Sequence, residues 1–163
     1  MESLAGEHES AETIYRASAA RLAQYGQLAH LANRAAELAD TLYAQGRDVE
    51  AAEWIETAQT NSASDDFSAQ FTWRSVAAKL AARSGDVERA DELAARALEL
   101  VDETDALNQR AGVRLDYAEV LFAAGRNDEA RARTLEAEEI FGQKGNLVGI
   151  ARARSLLERL AGA

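Results

Sequence analysis

The chain has neither cysteine nor proline in 163 residues. Without cysteine it has no disulfide framework, no thiol nucleophile and no cysteine-based metal site, which suits a reducing cytoplasm, the compartment expected. Without proline it has no strong helix breaker, so turns fall to glycines and short polar clusters. Aromatic residues are few, two Trp, four Tyr and four Phe, whereas alanine occurs 37 times. That balance disfavours a sheet, which draws on aromatic and β-branched side chains, and favours closely packed helices. No apolar run approaches the roughly 18 residues of a membrane span, and MESLAGEHES lacks the basic and apolar regions of a signal peptide. Bases are outnumbered too, 18 Lys and Arg against 28 Asp and Glu for a net charge of −10. Residues 1–66 hold 12 acids and 4 bases, a net −8, and residues 67–163 hold 16 and 14, a net −2. Phosphate backbones need clustered cations, so neither nucleic acid nor a membrane surface is an expected partner.

What is present is a repeat. ADTLYAQGRDVEAAEWIETA at Ala39–Ala58, AAKLAARSGDVERADELAARA at Ala77–Ala97 and AEVLFAAGRNDEARARTLEA at Ala118–Ala137 share one pattern. Superposing Gly46, Gly85 and Gly125 brings Ala39, Ala78 and Ala118 together, then Ala51, Ala90 and Ala130, then Ala58, Ala97 and Ala137. Small residues held in register at steps of 39 and 40 residues describe a helical repeat array, in which each unit buries its apolar face only against its neighbours.

Helical periodicity fills the spaces between the glycines. Val87, Ala90, Leu93, Ala94, Ala97, Leu98 and Val101 recur at intervals of three and four, an amphipathic stripe. Gly85 ends the preceding helix and Asp86 caps this one; Gly46 with Asp48 and Gly125 with Asn127 repeat the arrangement. Junctions of the second kind fall at Gly26, Asp65, Asp105 and Gly145. The pattern predicts a half repeat at 9–25, repeats at 27–61, 66–101 and 106–143, and a last helix at 147–161, all in one domain behind a disordered segment 1–8. Short connections make sequential helices antiparallel, and half units at the ends suggest a piece cut from a longer array.

The small residue before the turn, the glycine, the alanine five positions later and the alanine seven beyond that resemble tetratricopeptide repeats, most closely in Gly85-Asp86-Val87-Glu88-Arg89-Ala90 followed by Ala97-Leu98. The period is longer than the 34 residues of that family by about a turn and a half of helix, and its closing proline is missing. Those departures, with Trp73–Gly85 and Ala118–Arg126, resemble the longer arrays found C-terminal to ATPase modules in bacterial signalling proteins, among them transcriptional activators and nucleotide-cyclase proteins. The resemblance implies an all-α, right-handed α-solenoid of antiparallel helix pairs with a period of about 40 residues. It also implies a non-catalytic scaffold that binds protein or peptide, as the regulatory end of a larger signalling protein.

No catalytic constellation emerges. His8-Glu9-Ser10-Ala11-Glu12 has a glutamate where a helical zinc-protease motif needs its second histidine, and His30 stands alone. Gly142, Gly145 and Gly149 lack the preceding strand and lysine of a phosphate loop, and Asp65-Asp66 and Asp102-Glu103 read as junction and capping acids. No metal, cofactor or enzymatic activity is expected. The resemblance instead points to a concave face lined by the first helix of each repeat. It comprises Asn33, Asp40 and Tyr43; Thr72, Ser75, Lys79 and Arg83; Leu115, Glu119 and Phe122; and Arg152 and Arg159. Tyr, Phe and Arg there are typical binding anchors, although Tyr43 and Phe122 are equally readable as packing, whereas Trp54 and Trp73 are read as inter-repeat packing. A peptide segment is the expected occupant; the alternative is a small-molecule or peptide effector that changes the curvature of the array. Stepped at 100° per residue, the final helix is apolar around more than half its girth, so Leu156 and Leu160 are expected to form an exposed edge for homodimerisation.

Overall fold

A computed structural model describes the chain from Glu2 to Ala163, with side chains from His8 onward. The described residues form eight α-helices and no strand: α1 (Glu2–Gln24), α2 (Leu28–Ala44), α3 (Asp48–Asn61), α4 (Phe67–Ser84), α5 (Val87–Asp102), α6 (Leu107–Ala123), α7 (Asn127–Lys144) and α8 (Leu147–Ala161). The pairs α2–α3, α4–α5 and α6–α7 span 28–61, 67–102 and 107–144, each within one residue of the repeat read from the sequence. α1 starts at Glu2, not at residue 9, since nothing in 2–8 breaks a helix: there is no proline, and Gly6 costs only about 1 kcal/mol. Met1 lies outside the described residues.

The alanine register has a direct physical basis. Ala39, Ala78, Ala118, Ala51, Ala90, Ala130, Ala58, Ala97 and Ala137 are all completely buried, at the places where helices approach too closely for a longer side chain. The turns are as local in origin. Gly46, Gly85 and Gly125 sit at φ 75°, 86° and 73°, a region that costs L-residues roughly 1–2 kcal/mol. At each, the amide one residue beyond the glycine donates back into the helix, from Arg47 to Leu42, Asp86 to Ala81 and Arg126 to Leu121, closing a Schellman turn. Asp86 and Asp66 cap their helices through the amides of Arg89 and Ala69. Asp48 and Asn127 do not: they are the first helical residues, behind Arg47 and Arg126, and the Asp48 carboxylate is drawn away to Arg83.

The backbones of α2, α4, α6 and α8 approach one another in succession, whereas those of α1, α3, α5 and α7 come close only to members of that row. The even-numbered helices thus form the closely packed inner row of the array and the odd-numbered helices its outer row. One core, from Ala35 through Trp73, Leu115 and Phe141 to Leu160, runs the length of the row.

The expected apolar edge on α8 is not there. Leu156 and Leu160 are buried in that core, because α8 packs on both α6 and α7. Gly149 permits this depth: a Cβ on it would stand 2.5 Å from the Phe141 ring. The exposed large apolar residues of α8 are Leu147 and Val148, in its first turn.

Candidate inner-face site

Two cross-helix ladders occupy the inner face. The first is ionic. Lys79 on α4 is buried, and its ammonium donates to Asp40 of α2 at 2.7 Å and to Asp116 of α6 at 3.0 Å. Arg152 of α8 stands 3.9 Å from Asp116 on the far side, so charge alternates across all four helices. Glu119, one turn beyond Asp116, adds a third carboxylate to two cations. The surplus shows in the titration of the acids. Burial pushes Asp116 above the usual aspartate value despite Lys79, and burial followed by repulsion from Asp116 pushes Glu119 up. At Asp40 burial acts in the same sense, but the Lys79 charge and hydrogen bond outweigh it and lower the carboxyl. Asp40 also keeps 52% of its side chain exposed.

The second ladder alternates ring and cation. The Arg83 guanidinium lies 3.8 Å from the centre of the Tyr43 ring, and Arg159 lies 5.0 Å from that of Phe122. Lys79 also approaches Tyr43, at 4.9 Å. Contacts of this type contribute roughly 0.5–1 kcal/mol where exposed. Tyr43 and Phe122 are half-buried and serve both readings, with one part of the ring packed on the core and the rest on the face.

Several residues expected to face a ligand are otherwise engaged. Ser75, Lys79 and Leu115 are buried: inner helices in direct contact leave no opening at the midline of α4 and α6. The Ser75 hydroxyl has no hydrogen-bond partner there. Asn33 donates to Asp66 at 2.7 Å and so braces the cap of α4. At α8 the direction is reversed, the cap residue Asn146 donating to Asn108 at 3.2 Å. Thr72 donates to the Ser68 carbonyl of its own helix. The open part of the face is therefore Asp40, Arg83, Arg152 and Arg159 with the edges of Tyr43 and Phe122. Asp116 was missed by the glycine register, which selects Glu119; the spacing of three between them, placing both on one helix face, was the available signal. Trp73 and Trp54 pack in or against the core. His30 is exposed, and no cluster of three or more potential metal ligands occurs among the described residues.

Cavities of about 620 and 720 Å³ lie beside the ladders, the first between α3 and α4, where it shares Arg83 with the second ladder, and the second along the C-terminal half of α1. No helix among the described residues is long and apolar enough to cross a membrane.

No protein-family model matches the chain, and no curated protein does. Eight chains of solved structures are similar to it. One is the crystal structure of BtubC (BKLC) from P. vanneervenii, with a TM-score of 0.63 and 23% sequence identity over 96% of this chain and 64% of that one. The chain thus spans less than two-thirds of that protein, and at this identity the likeness shows an all-helical, repeat-like fold alone.

Proposed function

We propose that the chain is a tetratricopeptide-like array of antiparallel helix pairs with a right-handed superhelix. In this reading it is a non-catalytic interaction module that takes a segment of a partner protein along the inner face, as a cytoplasmic regulatory part of a larger signalling protein. The observation behind this is the pair of ladders. They hold Arg83 against Tyr43 and Arg159 against Phe122 with no partner bound, and preorganised side chains lose less entropy on binding. A peptide is favoured over a small molecule because neither cavity lies along the ladders, the first sharing only Arg83 with them, and the open groups of the face, Asp40, Arg83, Arg152 and Arg159, are spread over three helices. Selection of peptides from a random display library on the immobilised protein, followed by calorimetry of the selected peptides, tests the reading. Arg152→Ala with Arg159→Ala is expected to weaken them at least about tenfold, as expected for a loss above about 1.4 kcal/mol at anchor residues, with unchanged helical circular dichroism. Equal affinity for the parent and the double variant would falsify it.

A further inference from the structure

The outer helices are tied together by one recurring device, and it is missing once. Arg47, next to Gly46 at the head of α3, reaches back to Glu12 of α1 at 2.7 Å. Arg126, next to Gly125 at the head of α7, reaches back to Asp91 of α5 at 2.9 Å. By the same register the link from α5 to α3 would join residue 86 to residue 52. These are Asp86 and Ala52, so the link cannot form. The cavity of about 620 Å³ is found there, lined by Val49, Ala52, Glu53 and Glu56 of α3 and by Leu80, Ala81 and the ion-paired Arg83 of α4. Its volume is within the roughly 300–1,000 Å³ span of ligand pockets.

The charge of this cleft is also unlike its surroundings. On α5 and α7, arginines neutralise glutamates three residues on, as in Arg89–Glu92, Arg96–Glu99 and Arg133–Glu136, while Arg126 at the head of α7 meets Glu129 just as Arg47 at the head of α3 meets Glu50. α3 has no basic residue. Its Asp48 is met by Arg83 and its Glu50 by Arg16 and Arg47. Glu53 and Glu56 have no ion-pair partner among the described residues, since Arg89 of the neighbouring helix turns to its own Glu92. Two unneutralised carboxylates one turn apart therefore border an apolar floor from which Val49 projects with 76% of its surface exposed.

We propose that this cleft docks a basic amphipathic helix of a partner protein. The leucine-like face of such a helix covers Val49, Leu80 and Ala81, and its flanking lysines or arginines pair with Glu53 and Glu56. The geometry is that of helix-in-groove recognition, and the sign of the rim selects the partner: an acidic helix with the same apolar face is repelled. The site shares Arg83 with the second ladder, but the inner-face test acts on Arg152 and Arg159 and this one on Glu53 and Glu56, so either reading can fail without the other.

The test is fluorescence anisotropy with two labelled synthetic peptides that carry leucines at helical spacing, one flanked by lysine and the other by glutamate. The lysine peptide is expected to bind the parent and the glutamate peptide not to. Glu53→Gln with Glu56→Gln is expected to weaken binding about tenfold, the equivalent of about 1.4 kcal/mol. Glu139→Gln with Glu158→Gln, which makes the same change of net charge elsewhere, is expected to leave it within about twofold, since distant exposed charges are screened. A second variant, Ala52→Asp with Asp86→Arg, installs the link found at the other two positions and is expected to abolish binding by closing the cleft. The proposal is overturned if the lysine peptide does not bind, if the two peptides bind alike, if the two glutamine pairs weaken binding equally, or if the linked variant, folded by circular dichroism, binds as the parent does.

Discussion

Replacing Lys79 with methionine keeps most of the side-chain stem and removes the charge, isolating what the ammonium does. In the parent it is the 2.7 Å partner of Asp40 and the 3.0 Å partner of Asp116. The two acids respond differently to its loss. Asp40, with 52% of its side chain exposed, regains water; Asp116, at 18%, does not, and its remaining cation, Arg152, is 3.9 Å away. Removing one partner of a buried pair costs roughly 3–5 kcal/mol, and with Asp40 free to rehydrate the expected loss lies at the lower end, about 3 kcal/mol. Urea unfolding followed by helical circular dichroism at pH 7 measures it. The sign of the pH dependence gives a second check. Asp116 already titrates above its unfolded value of 3.8, and losing Lys79 raises it further. A raised acid favours folding most where it is protonated and loses that contribution as pH climbs through its folded value. The penalty of Lys79→Met therefore shrinks as pH is lowered toward 4, and adding Asp116→Asn restores most of the stability at pH 7. A loss under about 1 kcal/mol at pH 7, or no recovery in the double variant, would refute the assignment of Lys79 as the neutralising group.

The two helical glycines of α6 and α8 should respond in opposite directions. A Cβ at Gly112 meets nothing within 4 Å, so Gly112→Ala should stabilise by about 0.5–1 kcal/mol through helix propensity. At Gly149 it would meet the Phe141 ring at 2.5 Å, so Gly149→Ala should destabilise by about 1–3 kcal/mol as α8 is pushed outward; thermal and urea unfolding of the two variants decide both signs. Ala90→Leu puts three extra heavy atoms into a fully buried position and should likewise cost about 1–3 kcal/mol; an unfolding midpoint equal to that of the parent would contradict the repeat register.

The repeat was legible because its determinants are local or nearly so. A glycine at φ 73–86° reports a turn that other residues adopt only at a cost, and an alanine at every contact point reports how closely two helices must pass. Helix lengths follow from the spacing of those residues, and the sequence itself therefore determined an all-helical chain of eight elements with a period near 40 residues. The face was legible only to the level of which helices line it. Whether Lys79 projects into a groove or spans two neighbours depends on the rotation of α2 and α6, whose acids lie 39 and 37 residues away in the chain, and a shift of one turn decides between Glu119 and Asp116 as its partner. The fate of Leu156 and Leu160 turned on how deeply α8 sits, which the contact of Gly149 with Phe141 sets. The open cleft on α3 is written in Ala52 and Asp86, but it becomes readable only once the fold shows Arg47 reaching Glu12 across 35 residues. Local stereochemistry fixed the turns and the helices, whereas charge pairing and depth of packing are properties of surfaces that meet only after the helices have docked.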